Sequence, residues 1–268
     1  MTFLSRAGLL RTSAAVLSLT AFAALDGGFG TATRAEPAAG AFTPEQKQAI
    51  EKIVKDYLVA NPEVMLEVQS ILEAKIEKQQ AEKAKAALAD NAKDIYRRTE
   101  SPVAGNVDGD ITVTEFFDYN CGFCKRSFPE VTRLISDDPK VRVVFKEFPI
   151  LSKGSEEASR VALAARLQGK YWEVHKALFE SKGQANEAVA LKIAEKLGLE
   201  MAKLKADMNG PQVKAELASA KELAGKMGIN GTPHFLVGDK SIAGAPDTLL
   251  TQLTGNIADL RKNGCSYC

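Results

Sequence analysis

The chain has 268 residues, of which 45% are hydrophobic and 26% charged, a composition typical of a folded globular protein. A mini-protein and a disordered chain are thereby excluded. The 35 Lys and Arg against 34 Asp and Glu leave a formal net charge of +1, which gives no electrostatic reason to bind nucleic acid. Four cysteines are too few to hold such a chain together as a disulfide framework, so we expect them to serve chemistry.

An export signal is predicted at residues 1–35. Arg6 and Arg11 precede an apolar stretch, Ala14–Leu25, that is too short to cross a bilayer but suits the core of a signal peptide. A small-x-small site that ends at Ala35 predicts cleavage there, and a retained signal anchor is the alternative. In both cases we expect the folded part to lie outside the cytoplasm.

Residues 36–100 are predicted to form two helices. Thr43 begins the first, because its hydroxyl can accept a free N–H group and Gln46 completes a capping box. The second begins at Pro62 and, if it continues to Arg98, is on the order of 55 Å long.

Each predicted helix carries an apolar stripe at helical spacing. The stripe residues are Ile50, Ile53, Val54, Tyr57 and Leu58 in the first helix and Val64, Met65, Val68, Ile71, Leu72 and Ile76 in the second. A long helix cannot bury its stripe against itself, so we expect it to associate with copies of itself from other chains. A helix hairpin packed on the main domain is the alternative.

A mixed α/β domain is predicted after a linker at residues 101–110. Strands are expected at 111–117, 141–148, 234–237 and 241–243, and helices at 121–135, 155–168, 171–181, 187–197, 212–227 and 246–262. Helices are thus available to cover a central sheet, and a helical block interrupts the order of its strands.

Cys121 and Cys124 form a C-x-x-C motif between a predicted strand and a predicted helix. The free N–H groups and the dipole at a helix N-terminus favour a thiolate, so Cys121 is the expected nucleophile. Cys124, one turn along, is placed to resolve the mixed disulfide. An inert bridge and half of a zinc site are the alternatives.

The run EFFDYNCGFCKRSFPE, the later GTPHFLVG and the helical block between them resemble the thioredoxin-fold DsbA family, over Asp110 to Lys262. The resemblance implies an α/β thioredoxin fold with an inserted helical domain, preceded by an α-helical N-terminal segment. That segment resembles the stalk of ScsC-type members, which are periplasmic and can trimerise as disulfide isomerases.

The sequence patterns and this resemblance together divide the chain into five expected parts. They are a signal peptide at 1–35, a helical oligomerisation segment at 36–100, a linker at 101–110, a DsbA-like domain at 111–264 with its insertion at about 152–228, and a C-terminal C-x-x-C tail at 265–268.

The resemblance also implies that the Thr232–Pro233 bond is cis and lies beside the cysteines, where its backbone would position an extended substrate. A trans proline in an ordinary turn is the alternative. Glu115 and Lys146 each interrupt an apolar strand and are costly to bury unpaired. Relatives carry a buried acid here, so Glu115 is implied to move the proton of Cys124, with Lys146 as its charge partner. A partly exposed strand position is the alternative for Glu115.

The dipeptide between the cysteines departs from the oxidase pattern. This chain has Gly122 and Phe123 where oxidases of the DsbA type typically have Pro-His, so a histidine that could stabilise the thiolate is missing. His234 is a possible substitute, but the period of a strand could equally point it away from the thiols. His175 is expected to serve packing.

Cys265 and Cys268 form a second C-x-x-C after the last predicted helix. No helix follows them, so the dipole that would tune a thiol is missing, and an oxidised or accessory pair is favoured. A zinc site that uses all four cysteines is disfavoured by the long separation of the two motifs.

These features predict an exported thiol-disulfide oxidoreductase that acts on protein disulfides, with isomerase or reductase activity favoured. Several active sites around one stalk could enclose a misfolded substrate. A dithiol oxidase of the DsbA type, a periplasmic Cu(I)-binding protein and a holdase that uses the helical segment alone are the alternatives.

The expected partners are misfolded or unfolded exported proteins with cysteines, a membrane redox partner and further copies of this chain, with a trimer favoured. No cofactor, metal ion or nucleic acid is expected. The expected location is the periplasm, because a cleaved signal peptide directs export from the cytoplasm.

Overall fold

The computed structural model describes residues 42–268, so the predicted signal peptide lies outside the described residues. The chain divides after Pro62 into two units. In the described part of the first unit, helix α1 (Pro44–Ala60) begins as predicted. The Thr43 hydroxyl accepts the N–H of Gln46 at 3.2 Å, and the Gln46 side chain accepts the N–H of Thr43 at 2.9 Å.

The second unit combines helices with one sheet. Its helices are α2 (Glu63–Tyr96), α3 (Gly122–Asp137), α4 (Lys153–Arg166), α5 (Tyr171–Glu180), α6 (Glu187–Lys196), α7 (Met201–Asp207), α8 (Pro211–Met227) and α9 (Leu249–Asn263). Its strands are β1 (Val103–Gly105), β2 (Ile111–Phe117), β3 (Val141–Glu147), β4 (His234–Val237) and β5 (Lys240–Ala243).

The strands form a five-stranded sheet in the order β1-β3-β2-β4-β5. Strands β2 and β3 are parallel neighbours, and the other pairs are antiparallel. Every residue of β2 and β3 is buried, because helices cover both faces of the sheet. The helices α4 to α8 are inserted between β3 and β4, which confirms the predicted mixed α/β architecture with a helical insertion.

The two faces of the sheet have different partners. Phe117 and Phe145 belong to the core cluster that also contains Cys121 and Cys124, whereas Phe116 packs with residues of α2 and α8. We call the first surface the cysteine face and the second the α2 face.

Two elements were not predicted. Strand β1 lies in the segment 101–110 that was interpreted as a linker, and it pairs with β3 at the edge of the sheet. Its three residues are too few to show an alternating pattern, so only the pairing with β3 makes the strand recognisable. Helix α7 is short, and the side chain of Glu200 caps it by accepting the N–H groups of Ala202 and Lys203.

Helix α2 has two different halves. Near its C-terminus, Leu88, Ile95 and Tyr96 are buried against the sheet and α8. Nearer its N-terminus the predicted apolar stripe is exposed, with 61% of Ile71 and 53% of Leu72 accessible to solvent. The helix therefore belongs partly to the folded unit and partly to an unpartnered surface. Within residues 42–268, none of the helices combines the length and the apolar character of a membrane span.

Candidate active site

A short loop connects the end of β2 to Cys121 at the start of α3. Asp118 fixes this loop, because its carboxylate accepts the N–H groups of Asn120 at 2.7 Å, Ile150 at 2.9 Å and Leu151 at 3.0 Å. The backbone carbonyl of Asp118 also accepts the N–H of Cys121 at 3.0 Å. Buried Asp118 was missed by the sequence analysis, and its place between a strand end and a C-x-x-C motif is the signal that could have found it.

Cys121 lies at a helix N-terminus, as predicted, and is the N-cap residue of α3. Hydrogen-bonding groups surround its sulfur. The Sγ lies 3.4 Å from the backbone N of Cys124 and 3.1 Å from the carbonyl oxygen of Thr232. A hydrogen bond with the Cys124 side chain is the largest cause that lowers the pKa of Cys121, to about 5. The Thr232 side chain and the N–H groups of Cys124 and Phe123 lower it further, while burial opposes them. A pKa of about 5 favours the thiolate form of Cys121 at neutral pH.

Cys124 differs from Cys121 in exposure and in protonation. Its side chain is fully buried, whereas Cys121 retains 6% exposure. Burial raises the pKa of Cys124 far above the usual range, and the hydrogen bond with Cys121 and the negative charge of Glu115 raise it further. The pair is thus a nucleophilic thiolate beside a protonated thiol.

The Thr232–Pro233 peptide bond is cis, as the resemblance implied. It stands directly before β4, and the Thr232 carbonyl is the group that contacts the Cys121 sulfur. The structure therefore brings Thr232 and Pro233 to the nucleophile.

Glu115 also lies at this site. It is buried on the cysteine face of β2, with 3% of its surface exposed. Burial raises its pKa to about 8, and the negative charges of Cys121 and Glu147 contribute to the same shift. A buried carboxyl beside the thiols can accept or return a proton near neutral pH.

Lys146 is not the partner of Glu115. Glu115 lies opposite Phe145 in the parallel register, and the next residue along β3, Lys146, points to the α2 face. There its Nζ donates to the Ser101 hydroxyl at 2.6 Å and lies 3.6 Å from a carboxylate oxygen of Glu216. The predicted charge pair is wrong, because adjacent strand residues face opposite sides of the sheet. Lys146 instead donates to the backbone carbonyl of Asp94, near the C-terminus of α2, at 2.8 Å.

Replacing Lys146 with Ala should destabilise the fold without changing the thiol chemistry. The substitution removes the ammonium group that lies 3.6 Å from the buried carboxylate of Glu216, but it leaves the Arg98 guanidinium 3.0 Å from that carboxylate. We therefore expect the free energy of unfolding, measured in urea, to fall by about 2 kcal/mol. The pH at which Cys121 ionises should stay unchanged, because Lys146 faces away from it. A shift of that pH would show that Lys146 influences the thiol chemistry after all.

The two histidines do not contact the cysteine sulfurs. His234 lies opposite Phe116 on the α2 face, and its Nε2 is 2.7 Å from the Ser241 hydroxyl. The strand period thus points it away from the thiols. His175 is fully buried among the aromatic rings of Phe117, Phe145 and their neighbours, so its expected packing role is confirmed.

The tail cysteines form a disulfide, Cys265–Cys268, as favoured from the sequence. The tail lies near Gly238, which follows β4, while Cys121 lies beside Thr232, which precedes that strand. The two cysteine pairs therefore stand at opposite ends of the sheet and do not combine into one four-cysteine site.

The reduced protein should show a thiolate absorbance near 240 nm that titrates with a midpoint at about pH 5. Because the pKa of Cys121 falls from 9.0 to about 5 on folding, its ionisation stabilises the reduced fold above pH 9.0. That contribution is lost as the pH falls from 9.0 through about 5. Urea unfolding of the reduced wild type and of Cys121→Ser across this pH range measures the contribution. If the free energy of unfolding depended on pH in the same way in both proteins, the contribution would be contradicted.

The chain matches known proteins in two regions. Residues 112–254 match the family model of the DSBA-like thioredoxin domain. Residues 46–79 match the N-terminal domain of the copper resistance protein ScsC. Disulfide bond formation protein D of Bacillus subtilis is 30% identical over 161 residues, which are 54% of this chain and 71% of that protein. Na(+)/H(+) antiporters of Salinispora match at 28% identity, but the chain spans only 21% of their length.

Two crystal structures resemble a large part of this chain. A thioredoxin-like oxidoreductase from Silicibacter pomeroyi is 45% identical, with a TM-score of 0.61 over 63% of this chain and 97% of that one. Proteus mirabilis ScsC in a transitional conformation is 26% identical, with a TM-score of 0.60 over 83% of this chain and 100% of that one. The predicted thioredoxin fold with a helical insertion is thereby confirmed.

Proposed function

The chain belongs to the DSBA-like thioredoxin domain family of thiol-disulfide oxidoreductases, and from that premise we propose that it is an exported isomerase or reductase of protein disulfides. One observation carries the proposal most: the Cys121 thiolate lies at a helix N-terminus beside the protonated thiol of Cys124. That arrangement separates the attacking sulfur from the resolving sulfur.

The reaction begins when the Cys121 thiolate attacks one sulfur of a substrate disulfide. A mixed disulfide forms, and the other substrate cysteine leaves as a thiolate. In isomerisation that thiolate attacks a different disulfide of the substrate, and the final attack on the mixed disulfide regenerates Cys121 with no net oxidation.

Reduction uses the second cysteine. Cys124 gives its proton to the carboxylate of Glu115 and attacks the Cys121 sulfur, which releases the second substrate cysteine as a thiolate. The substrate disulfide gains two electrons, and Cys121 and Cys124 become a disulfide. A membrane redox partner then has to return them to the dithiol form.

Thr232 and Pro233 are proposed to position the substrate. Their backbone stands next to the Cys121 sulfur, so a polypeptide that lies extended along it would present its disulfide to the nucleophile. Misfolded exported proteins with cysteines are the proposed substrates.

The direction of the reaction is proposed from the dipeptide and from the N-terminal segment. Gly122 and Phe123 contribute no imidazolium that would favour the reduced state of a strong oxidant. Residues 36–100 are proposed to assemble several chains, with a trimer favoured, through apolar residues of α2 that the described unit leaves exposed. The proposed oligomerisation segment is thus the exposed part of residues 36–100, since the C-terminal half of α2 packs on the sheet and α8.

Export to the periplasm remains part of the proposal. It rests on the signal-like pattern of residues 1–35 and on the enzyme's need for substrates that contain disulfides, which accumulate in oxidising compartments.

Refolding of scrambled ribonuclease tests the proposed activity. The wild-type chain in a glutathione buffer should restore ribonuclease activity, and Cys121→Ser should not. Oxidation of reduced ribonuclease without reshuffling of the scrambled form would instead indicate a dithiol oxidase. No dependence on Cys121 in either assay would overturn the proposal.

Copper binding is a second candidate, because residues 46–79 match a domain named for copper resistance and the two thiols of the site suit Cu(I). Retention of one Cu(I) per chain through gel filtration, together with negligible reshuffling, would favour it.

A further inference from the structure

A second buried carboxyl lies on the cysteine face, where the sequence analysis expected a lysine to act. Glu147 follows Lys146 in β3, so its side chain points to the opposite side of the sheet, toward Glu115. In the parallel register Phe117 lies opposite Glu147 and Glu115 opposite Phe145. The two glutamates are therefore diagonal neighbours on adjacent strands, with Cα atoms roughly 8 Å apart.

Three hydroxyl groups converge on the carboxyl of Glu147. Tyr119 and Tyr171 each donate to Oε1 at 2.9 Å, and Ser159 donates to Oε2 at 2.7 Å. Tyr119 donates its only hydroxyl hydrogen to Glu147, so Nδ1 of His175, which lies 3.0 Å from that hydroxyl, donates to the Tyr119 oxygen. These hydrogen bonds favour the ionised form of Glu147, whereas burial, the larger effect, favours its protonated form.

These hydrogen bonds join the Cys121 loop to the helical insertion. Tyr119 lies two residues before Cys121, Ser159 lies on α4 and Tyr171 lies on α5. The fully buried carboxyl of Glu147 is thus the point at which the loop and both helices meet.

The groups that face Glu147 are neutral or acidic. From β2 and the loop they are Glu115 and Asp118 with the phenol of Tyr119, and from α5 the phenol of Tyr171 and the imidazole of His175. Burial keeps His175 neutral by lowering its pKa well below the usual range. Within residues 42–268, no ion pair involves Glu115 or Glu147.

We propose that Glu147 is a positioning residue for the thiol chemistry. Its charge controls whether Glu115 holds a proton, and its hydrogen bonds tie the Cys121 loop to α4 and α5. The inference rests on the proposed function, since it concerns the step in which Cys124 gives its proton to Glu115. A negative charge on Glu147 disfavours a second one on Glu115 in the same buried layer. Burial, the largest cause, raises the pKa of both carboxyls to about 8.

The step can be isolated with dithiobis(nitrobenzoate). The Cys121 thiolate attacks this aromatic disulfide and releases one coloured nitrothiobenzoate anion. Cys124 then passes its proton to Glu115 and attacks the mixed disulfide, which releases the second anion and leaves Cys121 and Cys124 oxidised. The two releases, followed by stopped-flow absorbance against pH, report the two cysteines separately.

Glu147→Gln should move the pH midpoint of the second release down by about one unit, because Glu115 loses a like-charged neighbour. The midpoint of the first release should not move. In a Glu115→Gln background, Glu147→Gln should cause no further shift. Glutamine keeps an oxygen for the two tyrosines, and Ser159→Ala provides a milder second variant with a smaller shift in the same direction.

A second-release midpoint that stays in place in both variants would overturn the inference, even if the rate fell at every pH, since that pattern describes a structural role only. Absence of a first release from the wild-type chain would instead overturn the proposed function. The two failures are therefore distinguishable.

Discussion

Replacing Cys124 with Ser is expected to trap the chain in a mixed disulfide with its substrate, and replacing Cys121 with Ser to abolish the reaction. A serine at 121 supplies no thiolate, so we expect exchange to slow by at least about a thousand-fold. A serine at 124 leaves the nucleophile intact but removes the sulfur that resolves the intermediate. Intact mass under non-reducing conditions, after incubation with a reduced-and-reoxidised ribonuclease, measures both results.

The tail offers a matched control. Cys265→Ser with Cys268→Ser removes the same number of sulfurs at the opposite end of the sheet from Cys121, so exchange should continue at the wild-type rate. Adducts formed through the tail, or steady turnover by Cys121→Ser, would contradict the assignment of the nucleophile.

Ile71→Glu is expected to convert the proposed assembly into monomers and to remove isomerase activity. Ile71 is 61% exposed in the described unit and lies in the apolar stripe of α2. Burying such a side chain between chains contributes about 2 kcal/mol, and a glutamate in its place adds the cost of burying a charge. Sedimentation equilibrium measures the loss of assembly, and the scrambled-ribonuclease assay measures the loss of isomerisation.

Ser70→Glu is the matched control for this variant. It places the same new charge one residue earlier on the same exposed helix, on the side away from the stripe, and should sediment as the wild type does. If the wild-type chain is itself monomeric, or if Ile71→Glu stays assembled, the proposed role of the stripe is wrong.

Truncation at Asp110 is a poorer test of assembly. It would delete Tyr96, whose hydroxyl donates to the carbonyl of Gly238 at 2.6 Å, and Ile95, whose carbonyl accepts from the Thr114 hydroxyl at 2.9 Å. Loss of these buried residues would destabilise the sheet as well as remove the stalk, so a point substitution in the exposed half of α2 separates the two effects.

Some features followed from the sequence because their causes are local. Strand β2 was predicted to the residue, since β-branched and aromatic residues run from Ile111 to Phe117 and polar residues follow. The place of Cys121 near a helix N-terminus followed from a strand that ends shortly before a helix pattern. The capping box at Thr43 is likewise a contact between residues three positions apart. Cis Thr232–Pro233 was available only through the family resemblance.

Only the tertiary structure decided which buried charges meet. Strand β3 is buried on both faces, so it shows no polar alternation from which the direction of Lys146 or Glu147 could be read. The parallel register with β2 assigns Glu147 to the cysteine face and Lys146 to the α2 face. The hydroxyls of Ser159 and Tyr171 come from helices that are remote in sequence from Cys121. Their meeting at one carboxyl depends on how the insertion packs on the sheet, which no local pattern encodes.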